Sequence, residues 1–329
     1  MEERLIGKMV DAMHIGSDDV VMVNYWCDSE KPDFTAFTKA LAQRGIRCHA
    51  TVFSDEYLTG LTAEYKDGLD DAWFAEYADT TVVIDVMDKP AGMPPADLGA
   101  ENIEAFGAVL QSLFGFMVRH GKLIQITMPS IYNAALAGED FETYERRLTQ
   151  ALDIDYEALD ARCREKANSL SCGKIRIRTG SACELTMNLT GREWIVDAGE
   201  GAFPCGEVYI APLEDETNGN LYFAKFPLEG VGVFTDVTLT VENGRVTGSD
   251  CEAFNAFLKG QEDGASVVAE LGIGMNPAVT CSGTGASLDE DAEGTFHIGL
   301  GMNVMFGGTN ACRFHMDFVT EGEITGDEK

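Results

Sequence analysis

The sequence predicts an α/β protein of two domains: an N-terminal doubly wound parallel sheet over residues 1–150 and a C-terminal β-rich α+β domain over residues 151–329. Three observations carry this expectation. Before residue 150, short apolar runs alternate with amphipathic helical patterns, the rhythm of a parallel sheet covered by helices on both faces. Beyond Lys174 the pattern changes to alternation of apolar and polar residues, which marks half-buried antiparallel strands. The length, 329 residues, exceeds what one small core organises and suits about two domains of ordinary size.

In chain order, Val20 to Tyr25 reads as a buried strand. After Pro32 and Asp33, Phe34, Phe37, Ala40 and Leu41 fall on one helical face, and Gly45 closes that helix. Ile46 to Phe53, Thr81 to Val86 and Leu123 to Thr127 supply three further strands. A long helix from Glu101 to His120, ending at Gly121, precedes the last of them. No G-x-G-x-x-G follows the first strand, so a dinucleotide site is not supported. The loops Asp88 to Pro95 and Thr127 to Ser130 follow carboxyl ends of strands, where open α/β sheets place ligands, although such loops are more often plain connections. Helices over Phe141 to Leu152 and Tyr156 to Leu170 lead into the later domain, and the second of them can belong to it. There, Lys174 to Arg178, Glu184 to Leu189 and Val233 to Val241 alternate as strands. Asn218-Gly219 and Asn243-Gly244 read as two-residue hairpin turns.

Composition narrows the function. Apolar residues make up 45% and charged residues 24%, as in ordinary globular proteins. The formal net charge is −31, with 12 Lys and Arg against 25 Asp and Glu in residues 1–150 and 12 against 30 beyond, so the acidity is spread over both halves. A field of that sign repels nucleic acid and anionic membranes, and neither is expected as a partner. The N-terminal MEERLIGKMVDAMHIG has acids where a secretion signal has basic residues, and no run of eighteen apolar residues occurs. The expected location is the cytoplasm. Nine cysteines without a C-x-x-C pair fit reduced, mostly buried thiols, Cys205 and Cys312 included.

The chemistry concentrates between Glu270 and Asp317. This stretch holds two of the five histidines, His297 and His315, with Glu270, Asp289, Glu290, Asp291, Glu293 and Asp317. From Gly260 to Cys312 there is no Lys or Arg. Carboxylates gathered without a cation repel one another, and a bound metal ion is the simplest remedy. His315 and Asp317 are an i, i+2 pair, so an extended strand presents both to one ion. The competing account makes the histidines core residues and the acids a solvated loop. Glu207 enters an otherwise apolar strand, Phe203 to Pro212, and joins the possible ligands unless it sits at a strand start on the surface. Arg313, His315 and Asp317 share i, i+2, i+4 spacing, which would turn the guanidinium toward the same face to grip a substrate carboxylate. A plain ion pair with a neighbouring acid is the alternative.

Four segments resemble the aminopeptidase T family of thermophilic metalloaminopeptidases, including its leucyl-aminopeptidase-like members: Gly206-Glu-Val-Tyr-Ile-Ala-Pro212, Glu270-Leu-Gly-Ile-Gly274, Asp289-Glu290 leading to His297-Ile-Gly-Leu-Gly301, and Phe306-Gly-Gly308 followed by His315-Met-Asp317. The resemblance implies a cytosolic homodimeric exopeptidase whose C-terminal domain binds two divalent ions, zinc, cobalt or manganese, through Glu207, Glu270, Glu290, His297, His315 and Asp317. For a hydrolase acting on small peptides, Glu270 is the choice for the carboxylate that would bridge the ions, and Glu207 is the nearest candidate for general base among the remaining acids. Three departures stand out: Gly206 occupies the place of a second family Glu, Val304 that of a family Tyr, and the spacings around His297 differ. A ring-opening 2,5-dihydroxypyridine dioxygenase shares the closing His-x-Asp pair. It implies the alternative of one iron held by His297, His315 and Asp317. A metal-dependent binding protein without turnover is the third possibility.

Overall fold

The structure, a computed structural model, describes residues 2–28, 35–119, 122–228, 230–284 and 287–326. The expected helix start at Pro32, Asp33 and Phe34, and the helix end at His120 and Gly121, lie outside them. The chain forms two compact units, Met1–Tyr156 with Gly199–Cys205, and Glu157–Ala198 with Gly206–Lys329.

In the first unit β1 (Val20–Trp26), β2 (Arg47–Phe53), β3 (Val82–Met87) and β4 (Lys122–Thr127) pair in parallel, in the order β2-β1-β3-β4. Every residue of β1 is buried, as a strand covered on both faces requires. Helices Glu3–Ala12, Thr35–Gln43, Asp55–Glu64 and Ile103–Arg119 supply the cover. Met22, Trp26, Phe53, Val83, Phe106, Val109 and Phe116 belong to one contiguous core. Gly45, at φ +75°, ends the helix Thr35–Gln43 in the left-handed conformation that glycine adopts without strain.

The two loops at carboxyl ends of strands are tied down by the chain's own side chains. Lys89 is buried and gives its Nζ to Asp55 Oδ1 at 2.5 Å and to the Pro94 carbonyl at 3.2 Å, tying down the loop after β3. Ser130 caps the helix Ile131–Leu136 by accepting from the Asn133 amide.

After the helices Phe141–Leu152 and Tyr156–Ser169 come β5 (Lys174–Thr179), β6 (Cys183–Asn188) and β7 (Ile195–Asp197). The two-residue β8 (Ala202–Phe203) then returns to the first unit and extends its sheet beside β4. A single boundary near residue 150 does not describe this division, because so short a strand leaves no periodic signal in the sequence.

The rest of the second unit is antiparallel: β9 (Glu207–Ile210), β10 (Asn218–Leu228), β11 (Gly232–Glu242), β12 (Arg245–Ser249), β13 (Val268–Gly274), β14 (Phe296–Gly301), β15 (His315–Thr320) and β16 (Glu323–Gly326). They form two sheets, β12-β11-β10-β6-β5-β16 and β15-β14-β13-β9-β7. Aromatic rings join them: Phe226 of β10 stacks on Phe318 of β15 with centroids 4.4 Å apart, and Phe223 and Phe254 pack edge-on around the pair. Asn243 and Gly244 form the expected turn between β11 and β12, both at positive φ. Asn218-Gly219 is not a turn. Both lie within β10, and a side chain on Gly219 would meet the Glu184 carbonyl at 2.1 Å, so this glycine serves the close approach of β10 to β6. No helix of the described residues is long and apolar enough to cross a membrane.

Candidate metal centre

The centre is built on one face of the sheet β15-β14-β13-β9-β7. Strand residues paired directly across a ladder share a face, and so do residues two apart on one strand. Asp197 pairs with Glu207, Glu207 with Gly274, and Gly272 with both Tyr209 and His297. Glu270 pairs with Gly299, Gly299 with Asp317, and Gly301 with His315. One face therefore carries Asp197, Glu207, Tyr209, Glu270, His297, His315 and Asp317. The opposite face carries Val208, Ile210, Leu271, Ile273, Ile298, Leu300 and Phe318, all buried. This is the physical reason why polar ligands alternate with apolar residues along each strand.

Glycines leave room for the ligands. A Cβ on Gly272 would lie 2.1 Å from His297 Nε2, and one on Gly299 would lie 2.7 Å from Asp317 Oδ1 and 3.1 Å from a ring carbon of His315. Neither glycine sits in the left-handed region, so both are required for space alone.

Among the described residues, ligand atoms within 4.8 Å of one another fall into two sets, Glu207, Glu270 and His297, and Glu270, His315 and Asp317. Glu270 belongs to both. His297 Nε2 is 3.5 Å from a carboxylate oxygen of Glu207 and of Glu270, while His315 Nε2 is 3.4 Å from Glu270 and 3.1 Å from Asp317. His315 Nδ1 lies 2.8 Å from the Met302 carbonyl, which fixes Nδ1 as the protonated nitrogen and leaves the Nε2 lone pair to a metal.

The group fits divalent cations on a further observation. Glu207 Oε2 and Asp317 Oδ1 are buried without hydrogen-bond partners, and acceptors left so are costly unless a cation satisfies them. Without metal the centre retains protons. Burial, reinforced by the charges of Glu270, Asp291 and Asp197 against the opposing His297, raises Glu207 well above the usual carboxylate range. Burial and Asp317 do the same to Glu290. Burial opposes the imidazolium forms, yet the surrounding carboxylates outweigh it and push His297 up to about 9 and His315 up to about 11. Burial also works against the Asp317 carboxylate, but the charge of His315 prevails and lowers it.

The structure thus brings Glu207, Glu270, His297, His315 and Asp317 together. Glu290 borders them, within electrostatic reach of Asp317, Glu270 and His315 but in neither ligand set. Asp289 has a different task. Its carboxylate accepts from the amides of Ser282 and Gly283 and the hydroxyl of Ser282 at 2.7–2.8 Å and so holds the loop beside it. Glu293 pairs with Arg162.

Arg313 is not brought to the centre. β15 begins only at His315, so the expected common strand face does not extend back to Arg313. Its side chain is 95% exposed, with Nε 4.0 Å from Glu262. The cause is the turn before it, where Asn310 Nδ2 donates to the Gly264 and Gly301 carbonyls and the Arg313 amide donates to Glu262.

Sequence reasoning missed Asp197 and Tyr209, and it counted Asp291 only as one of the clustered acids. Asp197 is buried on the three-residue β7, and burial with its charge pushes Asp291 up to about 8. Tyr209 could have been found as the i+2 neighbour of Glu207.

A family model described as thermophilic metalloprotease (M29) matches residues 130–322. Comparison with curated proteins yields no match. Among solved structures, wild-type AmpT from Thermus thermophilus matches with a TM-score of 0.65 at 18% identity, over 98% of this chain and 94% of that one. The 2,5-dihydroxypyridine dioxygenase from Pseudomonas putida KT2440 matches with a TM-score of 0.62 at 16% identity, over 99% and 94%. At these identities the structural likenesses establish the fold, two units with a parallel sheet first and antiparallel sheets after. The family model, spanning well over half of the sequence and all of the residues gathered around Glu270, places the chain in the M29 family of thermophilic metalloproteases.

Proposed function

We propose that this chain is a metal-dependent aminopeptidase that hydrolyses the N-terminal peptide or amide bond of small peptides. The observation that carries this reading is Glu270, one buried carboxylate shared by two sets of ligands, the arrangement a bridged pair of ions needs. Glu207 and His297 would hold one ion with Glu270, and His315 and Asp317 the other, with Glu290 beside them. Divalent ions held there supply Lewis acidity and an acidified water at neutral pH, and zinc, cobalt and manganese all suit mixed imidazole and carboxylate ligands.

The chain's own residues do the rest. The acidic face attracts the ammonium group of a peptide's N-terminus and orients the first peptide bond over Glu270. One oxygen of the Glu207 carboxylate takes a proton from the attacking water as the water oxygen bonds to the carbonyl carbon. The same atom returns that proton to the amine nitrogen as the C–N bond breaks. The His315 ring, anchored at Nδ1, keeps Nε2 on the ligand side throughout.

Metal analysis of the purified protein, paired with hydrolysis of aminoacyl anilides, tests the reading. About two divalent ions per chain and chelator-sensitive hydrolysis are expected. About one iron per chain, with cleavage of 2,5-dihydroxypyridine and no anilide hydrolysis, overturns it.

A further inference from the structure

The metal face holds carboxylates, imidazoles and glycines, and none of these is free to donate a hydrogen bond to a substrate carbonyl alongside the Lewis acidity that bound ions would supply. Hydrolysis of an amide builds negative charge on the carbonyl oxygen, and a donor aimed at that oxygen stabilises the transition state more than the ground state. Carboxylates accept only, both imidazoles serve the ligand sets, and no Lys or Arg occurs from Gly260 to Cys312.

Tyr209 alone among the described strand positions of this face carries a hydroxyl. It lies two residues along β9 from Glu207 and pairs with Gly272, which pairs in turn with His297. Gly272 has no side chain, so nothing on that row stands between the tyrosine and the ligands. Packing fixes the ring: Phe306 sits edge-on to it at 5.5 Å and edge-on to His315 at 5.3 Å. Among the described residues the Tyr209 hydroxyl makes no hydrogen bond, and the side chain is half-buried rather than sealed. A phenol is a neutral donor throughout the physiological range.

We propose that the Tyr209 hydroxyl donates a hydrogen bond to the scissile carbonyl oxygen of the substrate, a catalytic contact that strengthens as that oxygen becomes an oxyanion. This rests on the hydrolase reading above. No bond to Tyr209 forms or breaks, and its proton stays on the phenol oxygen.

Tyr209→Phe removes the hydroxyl and keeps the ring against Phe306. With an aminoacyl anilide, kcat is expected to fall about 10²-fold with KM nearly unchanged. Metal content, by elemental analysis, should stay at the wild-type value. Calorimetric affinity for a peptide phosphonate, whose tetrahedral anion mimics the transition state, should fall by a similar factor, while affinity for the free amino-acid product holds. Wild-type kcat and phosphonate affinity in Tyr209→Phe overturn the proposal, as does a loss of activity that tracks a loss of metal. A fully metal-loaded wild type that hydrolyses no anilide overturns the hydrolase reading, and this role with it.

Discussion

Asp85 and Glu270 are both buried carboxylates on strand interiors, one in each unit, and the protein treats them oppositely. Asp85 is 1% exposed and Glu270 is 4% exposed. Around Asp85 the chain supplies its own donors: Asn24 Nδ2 at 2.9 Å and Trp26 Nε1 at 3.0 Å both reach Oδ1. Lys89, buried in that unit, is likewise matched by Asp55. Around Glu270 the nearest donors are two imidazoles at 3.4–3.5 Å, and further carboxylates crowd in with buried oxygens that have no partner. A buried acid that the chain satisfies is part of the scaffold. A group of buried acids that the chain leaves unsatisfied is stable only with something the chain does not contain.

The sharpest way to break that contrast is Glu270→Ala. Loss of the shared carboxylate removes a ligand from both sets, so metal content should fall to background and hydrolysis with it. Chelation of the wild type should act alike on stability. A metal present at a thousandfold excess over its Kd adds about 4 kcal/mol to the folded state. For a unit of this size its removal should lower the melting temperature by roughly 10 °C. A melting curve unmoved by verified metal removal would count against a buried metal centre.

Gly272→Ala separates the two sets. The new methyl would lie 2.1 Å from His297 Nε2 and displace that ring, while His315 and Asp317 keep their places. Metal affinity at the His297 set should weaken by about 10–100-fold, read as loss of one ion per chain before the other in a chelator titration. Simultaneous loss of both would mean that the sets do not act as separate halves.

Asp85→Asn probes the other side of the comparison and should stabilise. Burial, the largest influence on Asp85, raises its pKa above the ordinary value, and the hydrogen bonds from Trp26 and Asn24 only partly offset this. A raised carboxylate pKa means that the folded state holds the proton more tightly than the unfolded one. Stability therefore declines as pH rises from the unfolded value near about 3.9 through the higher folded value, and the cost persists above it. The amide keeps an acceptor for both donors and cannot ionise. Its melting temperature should exceed wild type by a few degrees at neutral pH, with the gap closing in acid. A variant less stable than wild type at neutral pH would show that the charge itself is needed.

The same physics decides what was legible in the sequence. The i, i+2 spacing of His315 and Asp317 and the absence of Lys and Arg before Arg313 expose a cation-seeking face directly, because both are local. The strands β1 to β4 of the first unit were legible for the same reason, since β1 is apolar but for Asn24 and buried throughout, whereas the helices Glu3–Ala12 and Asp55–Glu64 were not read. Asp197 was not, because it enters only through pairing of the three-residue β7 with β9. Asp289 and Glu290 are neighbours in sequence, yet one holds a loop through three donors and the other borders the ligands. No composition rule separates an acid that is satisfied from one that is not. Gly272 and Gly299 read as weak points in strands until the structure shows the ligands standing over them.

The smallest expected effects lie at the rim, where water already solvates the charges. Glu293 and Arg162 form an exposed ion pair, so Glu293→Ala should cost at most about 1 kcal/mol in thermal unfolding and leave metal content intact. Arg313→Lys should do still less. Its guanidinium is in solvent, Glu262 is its nearest acid, and the bond that anchors this position comes from the backbone amide, which any residue keeps. Stability within about 0.5 kcal/mol of wild type and unchanged metal content are expected. The two-pronged grip on a carboxylate is the property that arginine has and lysine lacks. If Arg313→Lys nonetheless weakens binding of carboxylate-bearing peptides to the metal-loaded protein, the turn at Asn310 must rearrange in the complex to bring Arg313 over the ligands, and the line drawn here between solvated rim and unsatisfied centre would move outward to include it.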